Sequence, residues 1–90
     1  MTQGTFEDIQ IGTSIHEVRG LAGSPYAIRH RRDHSQEYEY IERIDIGTQT
    51  VTENHYYLIV RDGHVVSKCR RQERPPAYNL IYSEDPNFSQ

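Results

Sequence analysis

Asp62-Gly63 stands between two runs of alternating apolar and polar residues, about Thr50 to Arg61 and His64 to about Gln72. An Asp-Gly pair in that setting is the strongest short-range mark of a two-residue hairpin. Both central residues of the favoured turn need positive φ, which Gly adopts freely and Asp tolerates. A turn pinned in this way also fixes which side chains share a face, because strand side chains alternate. The predicted register sets Val60 against Val65, Leu58 against Ser67 and Tyr56 against Cys69.

The strand before this hairpin, Glu37 to Ile46, must join it in a compatible register. A two-residue Gly47-Thr48 turn would place Glu42 against Glu53, a like-charge cross-strand pair. A three-residue loop, Gly47-Thr48-Gln49, instead pairs Arg43 with Glu53, Tyr40 with Tyr56 and Tyr38 with Leu58. Opposite charges and aromatic rings then meet, so this register is selected. Tyr26 to Arg32 reads as one further strand, closed by the turn chemistry of Asp33-His34-Ser35-Gln36.

The N-terminal third is helical in pattern. Thr5 to Ile9 suits a single turn with Phe6 and Ile9 on one side. Gly12 interrupts it, and Thr13 or Ser14 offers an N-cap for a second helix. Ile15, Val18 and Leu21 (or Ala22) form its apolar stripe, Gly23 suits its C-terminal cap, and Pro25 prevents continuation. Gly20 inside the helix costs up to ~1 kcal/mol relative to Ala, so docking on a sheet must supply the stability.

The expected fold is therefore α+β: a short N-terminal helical segment packed on one face of a four-stranded antiparallel meander. Residues 1–73 form the domain, and 74–90 a C-terminal extension opened by Arg74-Pro75-Pro76. Only 34% of residues are hydrophobic and none is Trp, so the core must be thin, and the seven Tyr help to fill it. The covered face is expected to hold Tyr38, Tyr40, Ile44, Tyr56, Leu58, Val60 and Val65 beneath Ile15, Val18 and Leu21. The opposite face carries Ile41, Val51, Tyr57, Ile59 and Val66, ringed by Glu37, Glu39, Arg43, Lys68 and Arg70. An apolar patch of that size with a charged rim is the mark of an interaction surface.

Other function classes find less support. The net charge is -3, and the basic runs Arg29–Arg32 and Lys68–Arg71 fall on opposite edge strands, so no nucleic-acid partner is expected. No run approaches ~18 apolar residues, so no direct membrane insertion is expected. Cys69 stands alone and opposes Tyr56 in the predicted register, which makes it inert core packing. His30 and His34 straddle a strand end and a turn without a third ligand, so no metal and no cofactor are expected. His55 gathers with Tyr57, Glu39 and Glu53 on the open face, where a general base is conceivable, but a flat sheet does little to exclude water. No catalytic residue is assigned. Pro75-Pro76-Ala77-Tyr78 reads either as a linear recognition motif or as a tail folded back over the sheet.

Several of these markers resemble a known family. Ile9-Gln10-Ile11-Gly12-Thr13-Ser14, Val18 and Ala22-Gly23-Ser24-Pro25 are similar to the opening of the SmpA/OmlA outer-membrane lipoprotein domain. Tyr38-Glu39-Tyr40 fits its aromatic-x-Tyr strand, and Leu58 to Val66 its closing hairpin. That family includes the BamE-type component of the β-barrel assembly machinery, and its fold resembles units of the β-lactamase inhibitor protein. The resemblance implies a non-enzymatic cell-envelope module, periplasmic and outer-membrane anchored if Met1 replaces a removed export segment. The interaction residues would be Ile41, Tyr57, Ile59 and Val66, with Arg43, Lys68 and Arg70 at the rim. The partner would be a protein, or a second copy, met through the open face or an edge strand. Two alternatives stand beside this reading: a cytoplasmic homodimer or adaptor, and a small hydrolase or ligand-binding enzyme centred on His55.

Overall fold

The computed structural model describes residues 1–45 and 51–74. Two short helices, α1 (Gln3–Asp8) and α2 (Ile15–Ala22), precede strands β1 (Ala27–His30), β2 (Gln36–Asp45), β3 (Val51–Arg61) and β4 (His64–Glu73). The strands form one antiparallel sheet in the order β1-β2-β3-β4, so the expected α+β meander is the fold. The β3–β4 turn has the conformation its sequence demands, with φ of 53° at Asp62 and 77° at Gly63. The proposed Gly47-Thr48-Gln49 loop and the 75–90 tail lie outside the described residues.

The β2–β3 ladder has the predicted register: Arg43 faces Glu53, Tyr40 faces Tyr56 and Tyr38 faces Leu58. The β3–β4 ladder keeps it for only one of the three expected pairs. Val60 faces Val65, but the next pair is Ile59 with Ser67, leaving Val66 as the additional residue of a β-bulge. Beyond it Leu58 faces Lys68, Tyr57 faces Cys69 and Tyr56 faces Arg70, which corrects the expected pairings of Leu58 with Ser67 and Tyr56 with Cys69. The bulge moves every later β4 side chain to the other face.

Lys68 shows what the shift accomplishes. Its Nζ donates to the carbonyls of Phe6 and Ile9, each at 2.7 Å, and sits 4.7 Å from the centroid of the Phe6 ring. Carbonyls at the end of a helix are short of donors, and the ammonium bonds Ile9 O and adds a second donor to Phe6 O, which also accepts from Ile9 N–H at 3.3 Å. The N-terminal segment also runs along the start of β4. Gly12 N–H donates to Val65 O at 2.7 Å, Val65 N–H to Thr13 O at 2.8 Å, and Ile15 N–H to Gly63 O at 2.8 Å.

The buried cluster comprises Phe6, Ile9, Val18, Tyr38, Tyr40, Tyr56, Leu58, Val60 and Val65, with Met1, Ile15 and Ala22 against it. The rings of Phe6 and Tyr56 meet at 4.8 Å between centroids. Leu21 is 65% exposed and Ala22 takes its expected place, as the alternative stripe allowed. The hydroxyl of Tyr40 donates to Gly23 O at 2.9 Å, tying the end of α2 to the sheet. Ile44 is 41% exposed and lies across from Thr52, outside the apolar cluster where it was expected. That end of the covered face is polar instead. Tyr56 Oη donates to Glu42 Oε1 at 2.7 Å, and Asn54 Nδ2 donates to the same oxygen at 3.3 Å. Burial and the adjacent Glu42 carboxylate push the Tyr56 phenol up to about 12.

Candidate functional site

Strand alternation presents the open face. From β2 it takes Glu37, Glu39, Ile41 and Arg43, and from β3 Glu53, His55, Tyr57 and Ile59. After the bulge β4 adds Cys69, Arg71 and Glu73 in the pairs Tyr57–Cys69, His55–Arg71 and Glu53–Glu73, while β1 adds Arg29 opposite Glu37. His55 occupies the centre of this surface and is itself buried.

The imidazole is held from both sides. Nδ1 lies 2.8 Å from Glu39 Oε2, while Nε2 lies 3.0 Å from Glu53 Oε1 and 2.8 Å from Glu73 Oε2. Glu39 is buried and has a second partner, Arg29 Nη2, at 2.6 Å from Oε1. Arg43 Nε lies 3.6 Å from Glu53, and the His55 and Tyr57 rings stack at 6.4 Å with 21° between planes. Burial alone would lower the pKa of His55, but the bonds to Glu39 and Glu53 and the charge of Glu73 outweigh it and raise the pKa. Burial likewise opposes ionisation of Glu39, yet the bonds from His55 and Arg29 hold its carboxyl below the usual range. Donation to carboxylates from both nitrogens at these distances requires the imidazolium form of the ring.

Two open concavities flank the network. One of about 580 Å³ is lined by Tyr26, Ile41 and Arg43 together with Glu39, Glu53 and His55. The other, of about 500 Å³, is lined by Glu37, Tyr57, Ile59, Cys69 and Arg71 among others.

The structure places the expected interaction residues unequally. Ile41, Tyr57, Ile59 and Arg43 share the open face. Val66 is the bulge residue and is 41% exposed. Lys68 faces the helices rather than the rim, because the bulge turns it toward the carbonyls of Phe6 and Ile9. Arg70 pairs with Tyr56 in register, and it also lines the second concavity. Cys69 is exposed and opposes Tyr57, correcting its expected place in the core. Val51, expected on the open face, is buried.

His55, Glu39 and Glu53 come together as the sequence suggests, but Glu73 and Arg29 were missed. Arg29 was legible in principle, since pairing the strands around Asp33–Ser35 sets it against Glu37. Glu73 joins the face only through the bulge, and no local signal marks that. Among the described residues Glu53, His55 and Glu73 form a group of potential metal ligands, and His30 and His34 belong to none.

No family model, curated protein or solved structure matches the chain. Its class is therefore defined by its architecture: an antiparallel α+β domain with a histidine–carboxylate network on the sheet face away from its helices.

Proposed function

We propose that the chain is a non-enzymatic protein-interaction module whose contact surface is the open sheet face. The observation that carries this reading is the grouping of Ile41, Tyr57 and Ile59 beside a fixed charge network, on strands whose other face holds the core. Ile41 on one side of the paired charges, with Tyr57 and Ile59 on the other, gives the face the mixture of apolar and charged groups found in protein contacts. Arg43, already near Glu53, and Arg29, already bound to Glu39, present charge to a partner in set positions.

Two further points favour binding over catalysis. His55 has both ring nitrogens engaged by carboxylates, so it lacks the free lone pair of a general base. The concavities beside it are open, which offers little exclusion of water. The likeness of the Gly12, Gly23–Pro25 and Tyr38–Tyr40 segments to the SmpA/OmlA domain favours a cell-envelope, lipoprotein-like setting for this role.

The test is the double variant Tyr57→Ala with Ile59→Ser. A protein partner captured from source-cell extract by the wild-type chain should be held at least about fivefold more weakly by the variant, because truncating a tyrosine that anchors an interface costs more than about 1 kcal/mol. Sedimentation velocity identifies the case in which that partner is a second copy. Unchanged capture by a variant with an unaltered circular dichroism spectrum would remove the open face from this role.

A further inference from the structure

We propose that Glu53, His55 and Glu73 form a binding site for a single divalent transition-metal ion of the zinc type. Their ligand atoms all lie within 4.8 Å of one another. The fold sets them there: Glu53 and His55 are two apart on β3 and so share a face, while Glu73 stands directly across from Glu53 on β4. Carboxylates directly opposite each other on neighbouring strands repel. Here both oxygens turn toward one imidazole nitrogen, and a dication at that point would neutralise the pair.

A separate feature concerns the far side of the ring. Glu39, which is not one of the three ligands, binds Nδ1 at 2.8 Å, and Arg29 fixes Glu39 at 2.6 Å. A carboxylate on the second ring nitrogen sets the tautomer, orients the ring and strengthens the other nitrogen as a ligand, as found behind metal-bound histidines. With Nδ1–H given to Glu39, loss of the Nε2 proton leaves a lone pair directed at Glu53 and Glu73.

The spacing needs a small adjustment. Nε2 lies 3.0 and 2.8 Å from the two carboxylate oxygens. Tetrahedral ligands at about 2.0–2.1 Å from zinc stand about 3.3 Å apart, so each oxygen must retreat by a few tenths of an ångström. The half-exposed side chain of Glu73 can make that move. The concavity beside His55 and Glu53 leaves room for water as the fourth ligand.

The donor set selects the class of ion. One imidazole with two carboxylates suits Zn²⁺, Co²⁺ or Mn²⁺, whereas Ca²⁺ and Mg²⁺ favour oxygen alone and Cu⁺ favours sulfur. Nε2 ligates only without its proton, so the ion and a proton compete for that nitrogen. This site does not rest on the proposed interaction role.

The experiment is calorimetric titration of the chelator-treated full chain with zinc chloride, repeated with cobalt chloride and followed by visible absorption. The expected result is one ion per chain with micromolar affinity, and cobalt bands of a nitrogen–oxygen site. Glu73→Gln should weaken binding at least tenfold, and on zinc addition the ¹⁵N resonance of His55 Nε2 should move more than that of Nδ1. The double variant His30→Ala with His34→Ala should bind as the wild type does. The half-exposed position of Glu73 keeps its variant informative even if a His55→Gln chain fails to fold. Affinity weaker than millimolar, indifference to Glu73→Gln, or loss of binding in the His30/His34 variant would each overturn the site.

Discussion

The two faces of the β2–β3–β4 sheet are built from the same strands, yet different forces organise them. The covered face is held by side chains that need only be apolar and the right size, with Tyr56, Leu58, Val60 and Val65 fully buried. The open face is held by named partners at hydrogen-bond distance, each of which must arrive from the correct strand position. A core tolerates modest changes in register as long as alternation survives. A charge network does not, because even a slip that keeps every side chain on its own face carries the partners out of hydrogen-bond reach.

The largest test of this contrast lies on the covered face. Leu58→Ala should destabilise the domain by about 2–5 kcal/mol, read as a lower denaturation midpoint, because a fully buried leucine leaves a cavity. In a chain this small that is a large part of the total stability. A loss below about 1 kcal/mol would mean that the core readily collapses around the gap.

Lys68 offers a sharper comparison, since simple alternation assigns it to the open face and the bulge assigns it to the covered one. Lys68→Met should cost about 1–3 kcal/mol in the same measurement, because the carbonyls of Phe6 and Ile9 lose their bonds to a charged donor. Were Lys68 a solvated rim residue, the change would stay within about 0.5 kcal/mol.

The smallest effect separates two neighbouring tyrosines on opposite faces. Tyr56, pushed up to about 12, should ionise after Tyr57, whose pKa burial and Glu39 also raise. The folded pKa of Tyr56 exceeds its unfolded value near 10, so the native state holds its proton more tightly. That contribution is complete below about pH 10 and is lost as pH rises toward 12, and Tyr56→Phe should abolish this slope of stability against pH. Phenolate absorbance followed through alkaline titration checks both points.

The β2–β3 ladder was legible because a wrong register would have placed Glu42 against Glu53, a cost visible in the sequence alone. The bulge at Val66 was not, because either Val66 or Ser67 can occupy an exposed position and nothing local distinguishes them. What favours it is remote: carbonyls near the end of α1 that Lys68 reaches only after the shift. Glu73, Cys69 and Lys68 were misplaced or missed for that one reason. Leu21 and Ala22 show the same limit on a smaller scale. They are neighbours on a helix, and the smaller one turns inward where Tyr40 draws the end of α2 onto the sheet through Gly23. On the open face, His55, Glu39 and Glu53 were readable because all three lie on the correctly paired strands.

The bonds from Gly12, Thr13 and Ile15 to the start of β4 have a consequence for aggregation. Among the described residues β4 is an edge strand, and a row of unpaired amides and carbonyls on such a strand is a template for another chain. The domain closes one end of that template with its own N-terminal segment, while Arg70 and Arg71 place like charges farther along it. The same short segment that leads into α2 is thus a guard on the sheet, and its loss would uncover a pairing edge.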